Sequence, residues 1–141
     1  MRGSTHSEDE IAAIVRSARR IAVVGLSPNP ARPSHEVASY LQQVGYEIIP
    51  VRPGVSQVLG RPAYSDLRLA GATGAIDIVN VFRRSEAIAG LVDDCIAIHP
   101  RLVWLQVGVQ DEVAAARLEQ EGIPVVMNRC LMVDHYQFAG V

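Results

Sequence analysis

Residues 21–34 read IAVVG-LSPNPARPS. Five residues, four of them apolar and β-favouring or small, end in a glycine, and a loop with three prolines follows. A short unbroken apolar run of this kind is how a strand buried on both faces of a parallel sheet reads. The loop has no apolar period. The next stretch does: Val37, Ala38, Leu41 and Val44 recur at helical spacing, and Gly45 stops the pattern. Strand, loop and helix in this order form the first half of a βαβ unit.

The alternation continues outward in both directions. Upstream, residues 8–19 place Ile11, Ile14, Val15 and Ala18 on one helical face, with Ser7 and Glu10 spaced as a capping box. Downstream, 46–51 reads as a strand. The segment 52–66 is loop-rich, with a weak candidate strand near Pro62–Tyr64. Strands are expected at 75–82, 102–108 and 123–128. Helices are expected at 84–98 and 111–122, and a short closing helix at 129–138. Strands alternating with helices of this length imply a parallel sheet covered on both faces. The reading is an α/β, Rossmann-like three-layer αβα fold with about five parallel strands and the first strand central. Residues 8–141 form the domain, and residues 1–7 are a flexible tail.

Composition narrows the function. With 141 residues there is room for one domain, and 49% hydrophobic residues supply a core. The polar, acidic start MRGSTHSEDE does not read as a secretory signal. No apolar run approaches a membrane span. A formal charge of −2 is not the global field of a nucleic-acid binder. All thirteen cations are arginine, so lysine-dependent phosphate binding and catalysis are excluded. Cys95 and Cys130 have neither metal-ligand spacing nor the look of a disulfide framework, as suits a reduced, cytoplasmic protein.

In a sheet of this type, ligands bind outside the carboxyl ends of the strands. Those ends carry Gly25-Leu26-Ser27, Arg52-Pro53-Gly54, Phe82-Arg83-Arg84, Gln106-Val107-Gly108 and Asn128-Arg129-Cys130. With Arg32 in the first loop, Arg32, Arg52, Arg83, Arg84 and Arg129 gather at one edge. Bidentate arginines suit a ligand with several phosphates. The helix opening near Ser34 offers a phosphate its free N–H groups, and Ser27, Asn29 and Ser34 add hydrogen bonds. GLSPNP lacks two of the three glycines of GxGxxG, and Arg52 stands where NAD-binding domains place an acid. Arg52 suits a ribose phosphate, at the 2′ position in NADP or the 3′ position in coenzyme A. A proline-rich connection and a solvated surface arginine are the structural alternatives.

VVGLSPNPARPSHEVASYLQQVGYEIIPVRP, LGRPAYSDL, DIVNVFRRSE, VWLQVGV and VVMNRC occur here in order. Together they resemble the small stand-alone CoA-binding proteins, which are similar to the N-terminal CoA-binding domain of the succinyl-CoA synthetase α-subunit. The resemblance runs from about residue 9 to residue 136. It implies a bound CoA or acyl-CoA. The Gly25–Ser34 loop, with Ser27, Pro28 and Ser34, would cradle the phosphates, and Ser27 and Arg32 would donate to them. Arg52 and Pro53 would flank the adenosine and its 3′-phosphate, and Phe82 and Arg83 would line the next part. Leu105, Gln106 and Val107 would approach the pantetheine arm. The chain departs from the family's VNP at Arg52 and from its aspartate at Asn128. The synthetase's phosphorylated histidine lies in a further domain that has no counterpart in these residues, so ligase chemistry does not carry over.

No catalytic set assembles. His35 is a first-turn histidine, His99 lies in a turn, and His135 next to Asp134 on a helix does not face it. Cys130 reads as a buried, inert thiol, with a reactive thiol near Arg129 as the alternative. Asp77 reads as a cap or an arginine partner, and Trp104 and Leu105 as core, with an association surface as the alternative for Trp104. The scattered histidines and cysteines give metal binding no support. The expectation is a binding module for CoA or acyl-CoA, acting as carrier, sensor or partner subunit. Its alternatives are an NADP-binding redox module and a CoA-binding subunit of an acyl-CoA ligase that works only with a partner chain.

Overall fold

The computed structural model describes residues 6–139. The tail expected over residues 1–7 lies mostly outside them. Ser7 already belongs to the fold as the N-cap of α1 (Glu8–Ser17), and the capping box is formed: Ser7 Oγ accepts from Glu10 N–H at 3.1 Å and Glu10 Oε1 from Ser7 N–H at 2.8 Å.

The apolar runs become β1 (Arg20–Val24), β2 (Glu47–Val51), β5 (Ile78–Val81), β6 (Leu102–Leu105) and β7 (Val125–Val126). They form one parallel sheet in the order β2-β1-β5-β6-β7. β1 is an inner strand, as expected, but β5 holds the geometric centre. The chain leaves β1 toward β2 on one side and later returns to β5 on the other, so the order reverses between β1 and β5.

Alternation along the strands sorts the core into two layers. Ala22, Val24, Ile49, Val51, Val79, Val81, Val103 and Leu105 face α3 (Leu67–Gly71), α4 (Val92–Ile98) and α5 (Glu112–Gln120). Ile21, Val23, Ile48, Ile78, Leu102 and Trp104 face α1, α2 (Pro33–Gln43) and α6 (Leu131–Ala139). This is the three-layer α/β Rossmann-like architecture. Trp104 is fully buried, its Nε1–H bound to the Arg129 carbonyl at 2.8 Å, so it is core.

Three elements depart from the sequence reading. The loop-rich 52–66 segment holds a hairpin of β3 (Gln57–Val58) and β4 (Arg61–Pro62), and Tyr64 bridges to Val51. α3 is too short for a helical period to show, although Asp66 caps it through Leu69 N–H at 2.9 Å. The helix expected over 84–98 begins as two 3₁₀ turns, Ser85–Ala87 and Ala89–Leu91, around Gly90, and only then continues as α4. Glycine in the middle of a helix gives up the most backbone entropy, which weakens regular helix there.

Candidate functional site

The reversal between β1 and β5 opens a crevice at the carboxyl ends of the strands. Its larger lobe, about 700 Å³, lies on the α2 and α6 side. Gly25, Ser27, Arg32, Ser34, Arg52, Phe82, Arg83, Arg84, Gln106 and Val107 line it, with Glu36, Val109, Cys130 and Met132 among the others. A smaller lobe of about 370 Å³ is lined by Arg52, Pro53, Ser65, Asp66 and Asp94 with others. Gly25, Arg52 and Arg83 belong to both lobes and mark the saddle between them.

The β1–α2 loop is built tightly at its root. Gly25 has φ +85°, and a Cβ there would come within 2.5 Å of the Phe82 carbonyl oxygen. The glycine is therefore required by the contact between the β1 and β5 ends as well as by any ligand. Ser34 Oγ accepts from Ser27 N–H at 2.9 Å, Ser27 Oγ from Asn29 N–H at 3.0 Å, and Asn29 Oδ1 from Ala31 N–H at 3.0 Å. The loop uses these oxygens as acceptors to hold its own backbone. The buried Ser27 and Ser34 hydroxyls keep their hydrogens to donate. Asn29 is exposed and turns the loop without lining the crevice.

The start of α2 lacks a side-chain cap: Arg32 is the N-cap residue and makes no capping hydrogen bond, and Pro33 follows it. Pro33 has no N–H, and the His35 and Glu36 N–H groups bond to the Arg32 carbonyl at 3.0 and 3.2 Å. The helix start therefore offers the Ser34 N–H and the positive end of its dipole beside the lobe that Ser34 lines, an arrangement that favours an anion.

Charge reinforces the same end. Among the described residues Arg20, Arg61, Arg68, Arg101, Arg117 and Arg129 are in ion pairs with carboxylates. Arg32, Arg52, Arg83 and Arg84 have no carboxylate partner among them, and all four line the larger lobe. Arg52 is half-buried. Its Nη1 donates to the Gly25 carbonyl at 3.4 Å, which leaves most of its donors open.

Arg129 does not join them. It binds Glu8 at 2.8 and 3.1 Å and Asp134, and its guanidinium lies 5.6 Å from the centre of the Trp104 ring. The gathering of five arginines at one edge is therefore a crevice lined by four plus one structural arginine that ties α1 to α6. Burial raises the Asp134 carboxyl pKa, against the Arg129 guanidinium that lowers it. Hydrogen bonding to Arg129 lowers that of Glu8.

The other expected site residues divide similarly. Pro53 lines the smaller lobe. Phe82, Gln106 and Val107 line the larger one, with Val107 66% exposed. Pro28 is exposed and outside both linings, and Leu105 is buried in the core layer facing α3, α4 and α5. Asn128 Oδ1 accepts from Gly108 N–H at 2.6 Å, so it holds the β6 loop.

Cys130, expected among the strand-end residues, and Met132, which strand-end reasoning did not include, form a wall at the start of α6. The closing helix after the last strand was the available signal. Cys130 is half-buried on this wall, not a core thiol. Cys95 is core, and burial pushes its thiol up to about 12. His135 lies away from the crevice: its Nδ1 is 2.8 Å from Tyr40 Oη, its ring meets those of Tyr40 and Tyr46 edge-on, and burial lowers its pKa. No group of three or more His, Cys, Asp or Glu among the described residues is placed to hold a metal ion. No helix among them is long and apolar enough to cross a membrane.

A family model described as CoA binding domain matches residues 19–136, from the start of β1 to the middle of α6. The chain belongs to the CoA-binding domain family. The protein YneT of Bacillus subtilis (strain 168) is 43% identical over 129 residues, covering 92% of this chain and 94% of that one. Among solved structures, cell-free ID.343 from Thermus thermophilus superposes with a TM-score of 0.88 at 36% identity, over 94% of this chain and 99% of that one. The dinucleotide-forming acetyl-coenzyme A synthetase 1 of Ca. Korarchaeum cryptofilum matches with a TM-score of 0.65 at 19% identity. That match covers 74% of this chain and 24% of the synthetase, a likeness of fold. The matched range contains the whole crevice, so the family and the site coincide in the chain.

Proposed function

We propose that the protein binds CoA or an acyl-CoA across the carboxyl ends of its strands and does not transform it. The observation that carries this reading is the crevice itself: four arginines without carboxylate partners and an uncapped helix start line its larger lobe, and two of those arginines, Arg52 and Arg83, stand on the saddle to the smaller one. CoA has the matching shape. Its pyrophosphate suits the β1–α2 loop, with Ser27, Ser34 and Arg32 as donors. Its adenosine and 3′-phosphate suit the smaller lobe, beside Arg52 and Pro53. Its uncharged arm suits the far end, past Phe82 toward Gln106 and Val107. Pro28 would act only by stiffening the loop. Leu105 would act only by backing the β6 end, because its side chain is in the core.

A binding role, as carrier, sensor or partner subunit, fits the titratable side chains of the larger lobe: four arginines, Glu36 and Cys130, with His35 and His135 outside it. These form no nucleophile–base–orienter set. The test is thermal stabilisation by CoA, dephospho-CoA, NADP and NAD at equal concentrations. At a hundredfold excess over Kd a native-state ligand stabilises by about 2.7 kcal/mol. The reading requires a shift with CoA, a smaller one with dephospho-CoA and none with NAD. A shift with NADP alone would replace it by the redox reading.

A further inference from the structure

We infer that Asn80 is a positioning residue, and that it aims the Gln106 side-chain amide at a neutral carbonyl oxygen of the ligand's uncharged arm. This rests on the coenzyme reading above and deepens it.

Asn80 is the odd residue of β5. Its neighbours in the strand are valines and an isoleucine, and it is 0% exposed in the central strand of the sheet. Its Nδ2 donates to the Trp104 carbonyl at 3.3 Å and to Gln106 Oε1 at 3.0 Å. Its own Oδ1 is buried with no hydrogen-bond partner. An orphaned buried acceptor is a cost to the fold that valine at this position would not carry. Packing alone does not account for an asparagine here, and its hydrogen bond to Gln106 points to a positioning role.

Gln106 shows what it serves. Oε1 accepts a second hydrogen bond, from Leu131 N–H at the start of α6, at 3.0 Å. Two N–H donors converging on one atom identify that atom as the oxygen and fix the amide's orientation. The Nε2 group is left without a protein partner among the described residues, on a residue that is only 6% exposed and lines the larger lobe. It is a donor held in place with its hydrogens unused.

Its position selects the kind of acceptor. The arginines and the α2 start come from the β1, β2 and β5 ends. Gln106 directly follows β6, two strands from β1 in the sheet order, or roughly 10 Å at the usual strand spacing. Its chain neighbours Val107, Gly108 and Val109, and Cys130 and Met132 on either side of the Leu131 N–H that it binds, bring apolar or thiol side chains, or glycine, to this part of the lining. A neutral amide donor in such surroundings matches an amide or thioester carbonyl and is a poor match for a phosphate.

The test compares CoA with adenosine 3′,5′-bisphosphate, which has a charged head and no arm, by calorimetry on wild type, Gln106→Met, Asn80→Val and the double variant. Each single variant should lose about tenfold in CoA affinity, as for one neutral hydrogen bond, and nothing in bisphosphate affinity. The double variant should lose no more than Gln106→Met alone, because Asn80 acts through Gln106. NMR of the wild-type side-chain amides gives a readout that does not depend on a variant folding: the Gln106 NH₂ pair should move with CoA and not with the bisphosphate. Equal losses for both ligands, unchanged CoA affinity, or an unmoved Gln106 pair would each overturn the inference. Wild type binding neither ligand would instead remove the coenzyme reading and this inference with it. Bisphosphate binding in every variant alongside undiminished CoA affinity would remove this inference alone.

Discussion

Arg52→Ala is the most informative single change. The side chain is half-buried on the saddle between the lobes, with one long hydrogen bond, to the Gly25 carbonyl at 3.4 Å, and no ion pair. Its backbone N–H bond to Tyr64 O, at 2.8 Å, survives the substitution. The fold should therefore lose less than about 1 kcal/mol. The ligand should lose more. A charge-assisted hydrogen bond is worth ~1.5–3 kcal/mol, so CoA affinity should fall about 10- to 150-fold. Dephospho-CoA lacks the 3′-phosphate and feels Arg52 only through its pyrophosphate. At roughly 8 Å in a watery crevice that attraction is ~0.5 kcal/mol, about a twofold loss. Titration calorimetry of both ligands on both proteins, at physiological ionic strength, yields the ratio of the two losses. A ratio well above unity places the 3′-phosphate at Arg52. Equal losses, within twofold, would refute the assignment and move the phosphate to Arg32, Arg83 or Arg84.

Other expectations follow from the same geometry. Gly25→Val should destabilise the fold as well as block the ligand, by at least ~1–2 kcal/mol in urea unfolding, because φ is +85° and the Phe82 carbonyl stands where a Cβ would go. A native-like stability would show that the loop relaxes more freely than its contacts imply. Iodoacetamide should label native protein at Cys130 and spare Cys95, whose thiol burial has pushed up to about 12, and CoA should slow the labelling. Peptide mass mapping that finds Cys95 modified first would contradict this. Burial lowers the His135 pKa from 6.5, so the native state binds fewer protons than the unfolded chain just below that pH. Its contribution to stability should be complete above about 6.5 and diminish as pH falls through the window beneath it. Denaturant titrations across that window should show a slope that His135→Gln flattens.

The fold was legible because each strand was a short apolar run closed by a turn residue, and each long helix carried a period of buried positions. α3 and β3 were not legible, since five residues and two hold too little period to register, and of β4 and the Tyr64 bridge only the weak strand expected near Pro62–Tyr64 showed. The lining of the crevice was legible where it is made by strand ends, as for Gly25, Arg52, Phe82 and Gln106. It failed at Arg129, where only packing reveals that Glu8, 121 positions away in sequence, takes the charge. Leu105 was read both as a core residue and as a neighbour of the pantetheine arm, and the alternation of the strand turns its side chain into the core.

The distribution of arginine joins these observations into one argument. Six arginines hold ion pairs among the described residues, several of them between elements, such as Arg68 with Asp94, Arg117 with Asp93 and Arg129 with Glu8. A chain with an acidic formal charge of −2 could have paired its remaining cations too. Of the six described arginines without a carboxylate partner, Arg16 and Arg19 lie outside the crevice, and the other four gather where the sheet order reverses and a helix start lacks a cap. Like charges left together in a crevice repel one another and weaken the fold, unless something anionic arrives. The local repulsion is thus an interaction that folding leaves open and a multiply charged ligand closes. It follows that CoA should raise stability most at low ionic strength, where screening leaves that repulsion at full strength.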